Sequence, residues 1–232
     1  MTKNSTSSQA GTGSSAALPD DFGREFITLT HQTLSGAAEA LGDLDRRAGD
    51  GDFGTNVRVA MKGAAKNIDD DSPSTYRQWV TAMYMGWLGV GGTSGPLFGM
   101  FFRDVSKAGA DDSAPTLEQF AQALADGQAT VQKYGEAKVG DKTMIDALDP
   151  AVTALREAGS SDPVQALAAA EEAAIGGARD TAESTAKRGR ASYVGDAAKG
   201  VIDPGAAAMA LVIGAARAAA AGEKDVDTSW IS

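Results

Sequence analysis

The sequence contains no cysteine, and that absence removes disulfides, zinc thiolate sites and cysteine nucleophiles from consideration. It fits a reducing compartment, and the chain reads as cytoplasmic. Histidine occurs once; His31 falls inside the first helical segment, away from every motif described below, and reads as a surface or packing residue. Positive charge is in deficit, with 21 Lys and Arg against 31 Asp and Glu and a net charge of −10. Clustered cations are what a nucleic-acid surface requires, so that class is set aside. The acidic excess suits a chain that binds divalent cations, although solubility is its commoner cause. Runs of alternating β-branched residues are scarce. No segment reaches the roughly 20 apolar residues needed to span a bilayer. The Ala-rich stretch from Pro204 to Ala221 comes closest, but Arg217 interrupts it, and it reads as a buried amphipathic helix.

What remains is a sequence of helix formers punctuated by glycine. At 232 residues the chain can bury a substantial core without staples. Residues 1–17 are rich in Ser, Thr, Gly and Ala without an apolar h-region, and read as a disordered tail. A single domain is expected over residues 18–223, with a short C-terminal tail at 224–232. Eight helices are predicted: Asp20–Leu41, Thr55 to a point before Asp69–Asp71, Ser74–Gly89, Gly95–Lys107, Thr116–Tyr134, Lys142–Ala158, Pro163–Ala186 and Pro204–Ala221. Thr116 with Gln119 has the spacing of a capping box, and Asp203-Pro204 that of an N-cap followed by N1 proline. The fold class is therefore all-α.

The loops between these helices carry the chemistry. Leu44-Asp45-Arg46-Arg47-Ala48-Gly49-Asp50-Gly51-Asp52-Phe53-Gly54-Thr55-Asn56 brings three carboxylates together, with glycines that permit tight turns. Carboxylates so close repel one another unless a cation sits between them. Hard oxygen donors suit magnesium or calcium, and magnesium commonly shares its sphere with phosphate oxygens. The competing reading is an ordinary Asp-Gly turn in which one Asp caps the next helix. The stretch is not an EF-hand, because the later ligands and closing Glu are missing. Gly91-Gly92-Thr93-Ser94-Gly95-Pro96 opens a helix and could present backbone N–H groups and hydroxyls to an anion. It lacks the Gly-Lys-Ser/Thr of a Walker A loop, and an ordinary N-cap explains it equally well. Lys187-Arg188-Gly189-Arg190-Ala191-Ser192-Tyr193 offers an Arg on a Gly-flanked loop, suited to phosphate or simply to solvent. Gly140-Asp141-Lys142-Thr143-Met144 and Asp203-Pro204-Gly205 read as helix starts that could also line a ligand.

In this order, these elements resemble the L subunit, or C-terminal nucleotide domain, of the dihydroxyacetone kinases. The likeness runs from about Asp20 to Ala221. It implies an antiparallel eight-helix barrel in which Asp45, Asp50 and Asp52 coordinate two magnesium ions that bridge the phosphates of ADP or ATP. It further implies phosphate donors at Gly92, Thr93 and Ser94, with Arg190 near the phosphates and Asn56 among the nucleotide contacts. Thr143, Met144, Asp203 and Gly205 would lie near the rest of the nucleotide. Many members of the family carry His where this chain has Phe53, so a phosphate contact there is not carried over.

The resemblance also implies a partner. In the family a separate K subunit or domain holds the ketose through a histidine, which this chain does not supply. The chain is expected to bind nucleotide, with no catalytic residue of its own, and to act as a phosphotransferase only with that partner. The phosphoryl donor is either exchanging ATP or a phosphotransferase-system protein that rephosphorylates resident ADP. Alternatives are a subunit for a four-carbon ketose, or a non-catalytic relative that senses nucleotide.

Overall fold

Four of the eight described helices start at side-chain caps. At α5 (Leu117–Gly135) the Thr116 hydroxyl accepts from the Gln119 amide at 3.2 Å, while the Gln119 side chain accepts from the Thr116 amide at 2.9 Å. Thr75 and Gln78 make the same reciprocal pair at α3 (Tyr76–Leu88). Asp162 and Asp203 cap α7 (Pro163–Asp180) and α8 (Pro204–Ala221), each followed by proline. The others are α1 (Phe22–Ala48), α2 (Phe53–Asp71), α4 (Ser94–Val105) and α6 (Ile145–Ala158). The structure is a computed structural model that describes residues 16–110, 113–159, 162–188 and 198–231. Among the described residues it holds these eight α-helices and no strand, as the composition led one to expect.

Several boundaries differ from the sequence reading, each for a local reason. α1 continues past Leu41 to Ala48, because Gly42 is a packing position rather than a stop. It lies against Gly54, where an added Cβ would stand 2.4 Å from the Ala38 carbonyl oxygen and 2.9 Å from Gly42 Cα. α2 runs through Asp69–Asp71 instead of ending before them, with Lys66 pairing to Asp70 one turn on, and stops at the left-handed Ser72. α6 begins at Ile145, not Lys142, because Lys142 takes a left-handed φ of 62°. α7 ends at Asp180 rather than Ala186, giving way to a 3-10 turn at Thr181–Glu183.

Each helix packs against the next in sequence, and α8 returns to pack along α1, so the ring closes. α8, expected to be amphipathic, is instead buried almost all round, and its one charge, Arg217, is paired with Glu171 and Glu223. It is the one described helix long and apolar enough to cross a membrane, and 78% of that stretch is buried inside the fold. Phe22, Phe26, Tyr76 and Phe120 form one aromatic cluster of the core. Trp87, Phe98 and Phe53 form another. Both ends of the described chain are tied in: the Ala16 carbonyl accepts from the Leu117 amide at 2.9 Å, and Ile231 is buried.

Candidate functional site

A cavity of about 310 Å³ opens at one end of the ring. Its walls come from the last turns of α1 (Asp45) and α5 (Val131, Gly135), and from the starts of α2 (Phe53, Asn56), α4 (Ser94, Leu97, Phe98) and α8 (Pro204, Gly205). Met144, just ahead of α6, joins them. α1 and α5 thus end where α2, α4 and α8 begin, so α1 runs antiparallel to α2 and α8, and α4 to α5. Asp45, Asp50, Asp52, Asn56, Gly92, Thr93, Ser94, Thr143, Met144, Asp203 and Gly205 all line this one space. Arg190 falls outside the described residues.

The acidic wall is built from the α1–α2 connection. Gly51 holds a left-handed φ of 81°, which lets the chain reverse within the loop. Asp45 is only 9% exposed, and its carboxylate accepts from the Phe53 amide at 2.9 Å, bridging the end of α1 to the start of α2. Asp52 occupies the N-cap position of α2, yet its side chain makes no capping bond. The simple reading of this loop as a capped turn therefore fails at that residue; the first amide of α2 is served by Asp45 instead. Burial, and then the neighbouring charge of Asp50, push the Asp45 pKa up from the ordinary carboxylate value. A cation between the two would reverse that strain. Among the described residues no three acidic or imidazole groups stand close enough to hold an ion by themselves. The donor chemistry nevertheless fits magnesium, which is typically bound by one or two carboxylates while substrate phosphates and water fill the remaining positions.

Facing the carboxylates is the start of α4. Thr93 stands at its N-cap without a side-chain cap bond, so the helix end is not closed by its own hydroxyl. The Asn56 amide donates to Ser94 Oγ at 3.3 Å, joining the acidic loop to this turn. A hydroxyl that accepts one hydrogen bond still has its own proton to donate. Leu97, Phe98, Val131, Ala137 and Pro204 give the remaining space apolar walls. Phe53 belongs to this apolar side: its ring lies 6.0 Å from Phe98, which stacks on Trp87 at 4.5 Å.

The wall between α6 and α8 is built from the two segments that the sequence offered as helix starts able to line a ligand. Lys142 is 1% exposed. Asp203 caps α8 through the Ala206 amide at 2.7 Å, and burial pushes its carboxyl up to about 7. Arg188 also lines the cavity, near Asp141 at 3.7 Å and Glu136 at 3.4 Å. It stands in the basic loop already singled out, beside the Arg190 favoured there. The apolar wall residues carried no signal beyond helical periodicity.

The DAK2 domain family matches residues 47–218. The chain is 37% identical over 174 residues to the PEP-dependent dihydroxyacetone kinase 2, ADP-binding subunit DhaL, of Listeria innocua, covering 71% of this chain and 78% of that one. It is 36% identical over 191 residues to the corresponding PEP-dependent subunit DhaL of Escherichia coli, covering 79% and 89% respectively. The crystal structure of the dihydroxyacetone kinase from C. freundii in complex with AMP-PNP and Mg2+ matches at a TM-score of 0.63 and 29% identity. That match covers 93% of this chain and 37% of the larger protein, so the chain spans little more than a third of it. The family model covers most of the chain, and both relatives are more than 30% identical over most of their own length: the chain belongs to the DAK2 domain family.

Proposed function

We propose that this chain is the nucleotide subunit of a dihydroxyacetone-type kinase, holding ADP or ATP with magnesium while a separate K subunit holds the ketose. The observation that carries the reading is the convergence of the acidic loop, the α4 start and the Met144–Gly205 wall on one cavity. Asp45, Asp50 and Asp52 are the metal ligands, and two ions are expected from the family resemblance. Magnesium supplies charge neutralisation to the phosphates and fixes their orientation. The Gly92–Ser94 turn donates to phosphate oxygens through backbone amides and the Ser94 hydroxyl. Leu97, Phe98, Val131 and Met144 cover the nucleobase, where apolar contact outweighs hydrogen bonding.

No side chain in this cavity is needed as a general base. The aspartates act as ligands, because carboxylates held by metal charge bind protons weakly. Transfer then depends on placing the γ-phosphoryl group at the mouth of the cavity, where the partner presents the ketose. The relatives named as PEP-dependent and ADP-binding favour a scheme in which ADP stays bound and a phosphotransferase-system protein renews it.

The test is reconstitution. The chain is mixed with a K subunit and assayed on a panel of three- and four-carbon ketoses, first with ATP and then with a phosphotransferase-system phosphoryl donor. Turnover of a ketose that requires both chains is expected, and turnover with the second donor alone selects the ADP scheme. Absence of phosphorylation with either donor, from a chain shown to be folded, contradicts the reading.

A further inference from the structure

We propose that Lys142 is a positioning residue: its ammonium fastens the segment that opens α8 to the segment that opens α6, and so fixes the cavity wall between Met144 and Gly205. The inference rests on the nucleotide reading of that cavity.

Lys142 is an unusual residue to find enclosed. It is 1% exposed, yet it donates to three backbone carbonyls: Thr181 at 2.6 Å, Val201 at 2.6 Å and Ala198 at 3.0 Å. An ammonium has three protons to donate, and all three are used. Its backbone is left-handed, a region lysine seldom enters, and there it leads into the cavity wall rather than into the first turn of α6. Asp203, Asp146 and Glu183 are the charged groups that bear on it favourably, while burial works against the charge.

The chain of contacts runs from Lys142 to the cavity without a gap. The Thr181 carbonyl is held by Lys142, and the Thr181 hydroxyl accepts from the Asp203 amide at 2.8 Å. Asp203 in turn caps α8 at the Ala206 amide. Gly205 follows, in ordinary contact with the other wall: a Cβ there would stand 3.7 Å from the Met144 amide nitrogen and 3.8 Å from Met144 Cβ. The ammonium therefore adds a polar connection between the two walls to the apolar packing of α6 on α8. Removing it leaves three buried carbonyls without their donor and lets the segments separate. Simple packing does not require this arrangement, because a buried lysine carries a desolvation cost that an apolar side chain of similar length avoids.

Calorimetry of magnesium–ADP binding to the full chain tests the proposal on wild type, Lys142→Met and Lys142→Arg. Leu124→Ala, a core change away from the cavity, serves as the stability reference. A wall displaced by an ångström is expected to weaken binding about thirtyfold in Lys142→Met. Arginine keeps the charge but presents a planar fork to carbonyls arranged around a tetrahedral ammonium. Lys142→Arg should therefore fold and still bind about fivefold more weakly. Leu124→Ala should melt lower with unchanged affinity, which separates loss of positioning from loss of stability. If Lys142→Met does not fold, Lys142→Arg decides. Wild-type affinity in either folded Lys142 variant overturns the proposal. Failure of the wild-type chain to bind magnesium–ADP overturns the nucleotide reading instead, and the positioning role with it.

Discussion

A methyl group added at Gly54 probes the packing that delivers the acidic loop to the cavity. Its Cβ would stand 2.4 Å from the Ala38 carbonyl oxygen, 2.9 Å from Gly42 Cα and 3.0 Å from Gly42 N. All three are backbone atoms of α1, so no side chain can swing aside. Relief requires α1 and α2 to separate by about 1 Å, judged against a normal carbon contact near 3.5 Å. Overpacking of this kind costs about 1–3 kcal/mol, and Gly54→Ala should fall in the upper part of that range. The reciprocal change is milder, because a Cβ at Gly42 meets Arg46 Nη1 at 3.4 Å and Gly54 Cα at 3.5 Å. Gly42→Ala should cost less than about 1 kcal/mol. Gly36, exposed in the middle of α1 with nothing within 4 Å of its added Cβ, is the internal control. Gly36→Ala should gain about 0.5–1 kcal/mol from helix propensity. Urea unfolding followed by circular dichroism orders the three variants by midpoint at constant m. The Asp45-to-Phe53 bond spans the same helix pair, so magnesium–ADP affinity should fall in Gly54→Ala as well. Equal stability of Gly54→Ala and Gly42→Ala refutes the reasoning.

Three further outcomes are expected. Phe98→Ala removes a 2% exposed ring that stacks on Trp87; it should cost about 3–5 kcal/mol and shift tryptophan emission to the red. Phe53→His should cost about 1–2 kcal/mol through lost contact with Phe98 while keeping magnesium-dependent ADP binding, and loss of that binding would show the acidic loop to be disturbed. Asp203 has a folded pKa of about 7 against roughly 3.9 unfolded, so the native metal-free chain binds the extra proton between these values. Its stability contribution therefore declines as pH rises from about 4 to about 7. Asp203→Asn, which can still cap α8, should flatten that slope, and parallel pH profiles for the two proteins would contradict the assignment.

The capped helix starts were legible because a cap is a local device. Thr116 with Gln119 and Asp203 with Pro204 can be read from neighbouring residues, and both form as expected. Ends were less legible. Gly42 looks like punctuation in sequence, whereas its role is set by Gly54, which lies on another helix. The acidic run Asp69–Asp71 looks unfavourable at a helix C-terminus, yet α2 extends through it. The order of the loops pointed to one site, and the described loop residues named for nucleotide and metal share one cavity. Lys142 was not legible as a structural cation, because its acceptors are backbone carbonyls 39 to 59 residues away and leave no mark on side-chain spacing. Phe53 was legible only as a missing histidine; the aromatic stack that receives it depends on α3 and α4 meeting at Trp87 and Phe98.

The central claim is that Asp45, Asp50 and Asp52 hold nucleotide phosphates through magnesium. ADP titration by calorimetry, in magnesium and then in EDTA, tests it most directly on the wild-type chain and on Asp50→Ala. Binding is expected only for the wild type in magnesium, with circular dichroism unchanged in the variant. Equal ADP affinity in EDTA, or in Asp50→Ala, contradicts the account.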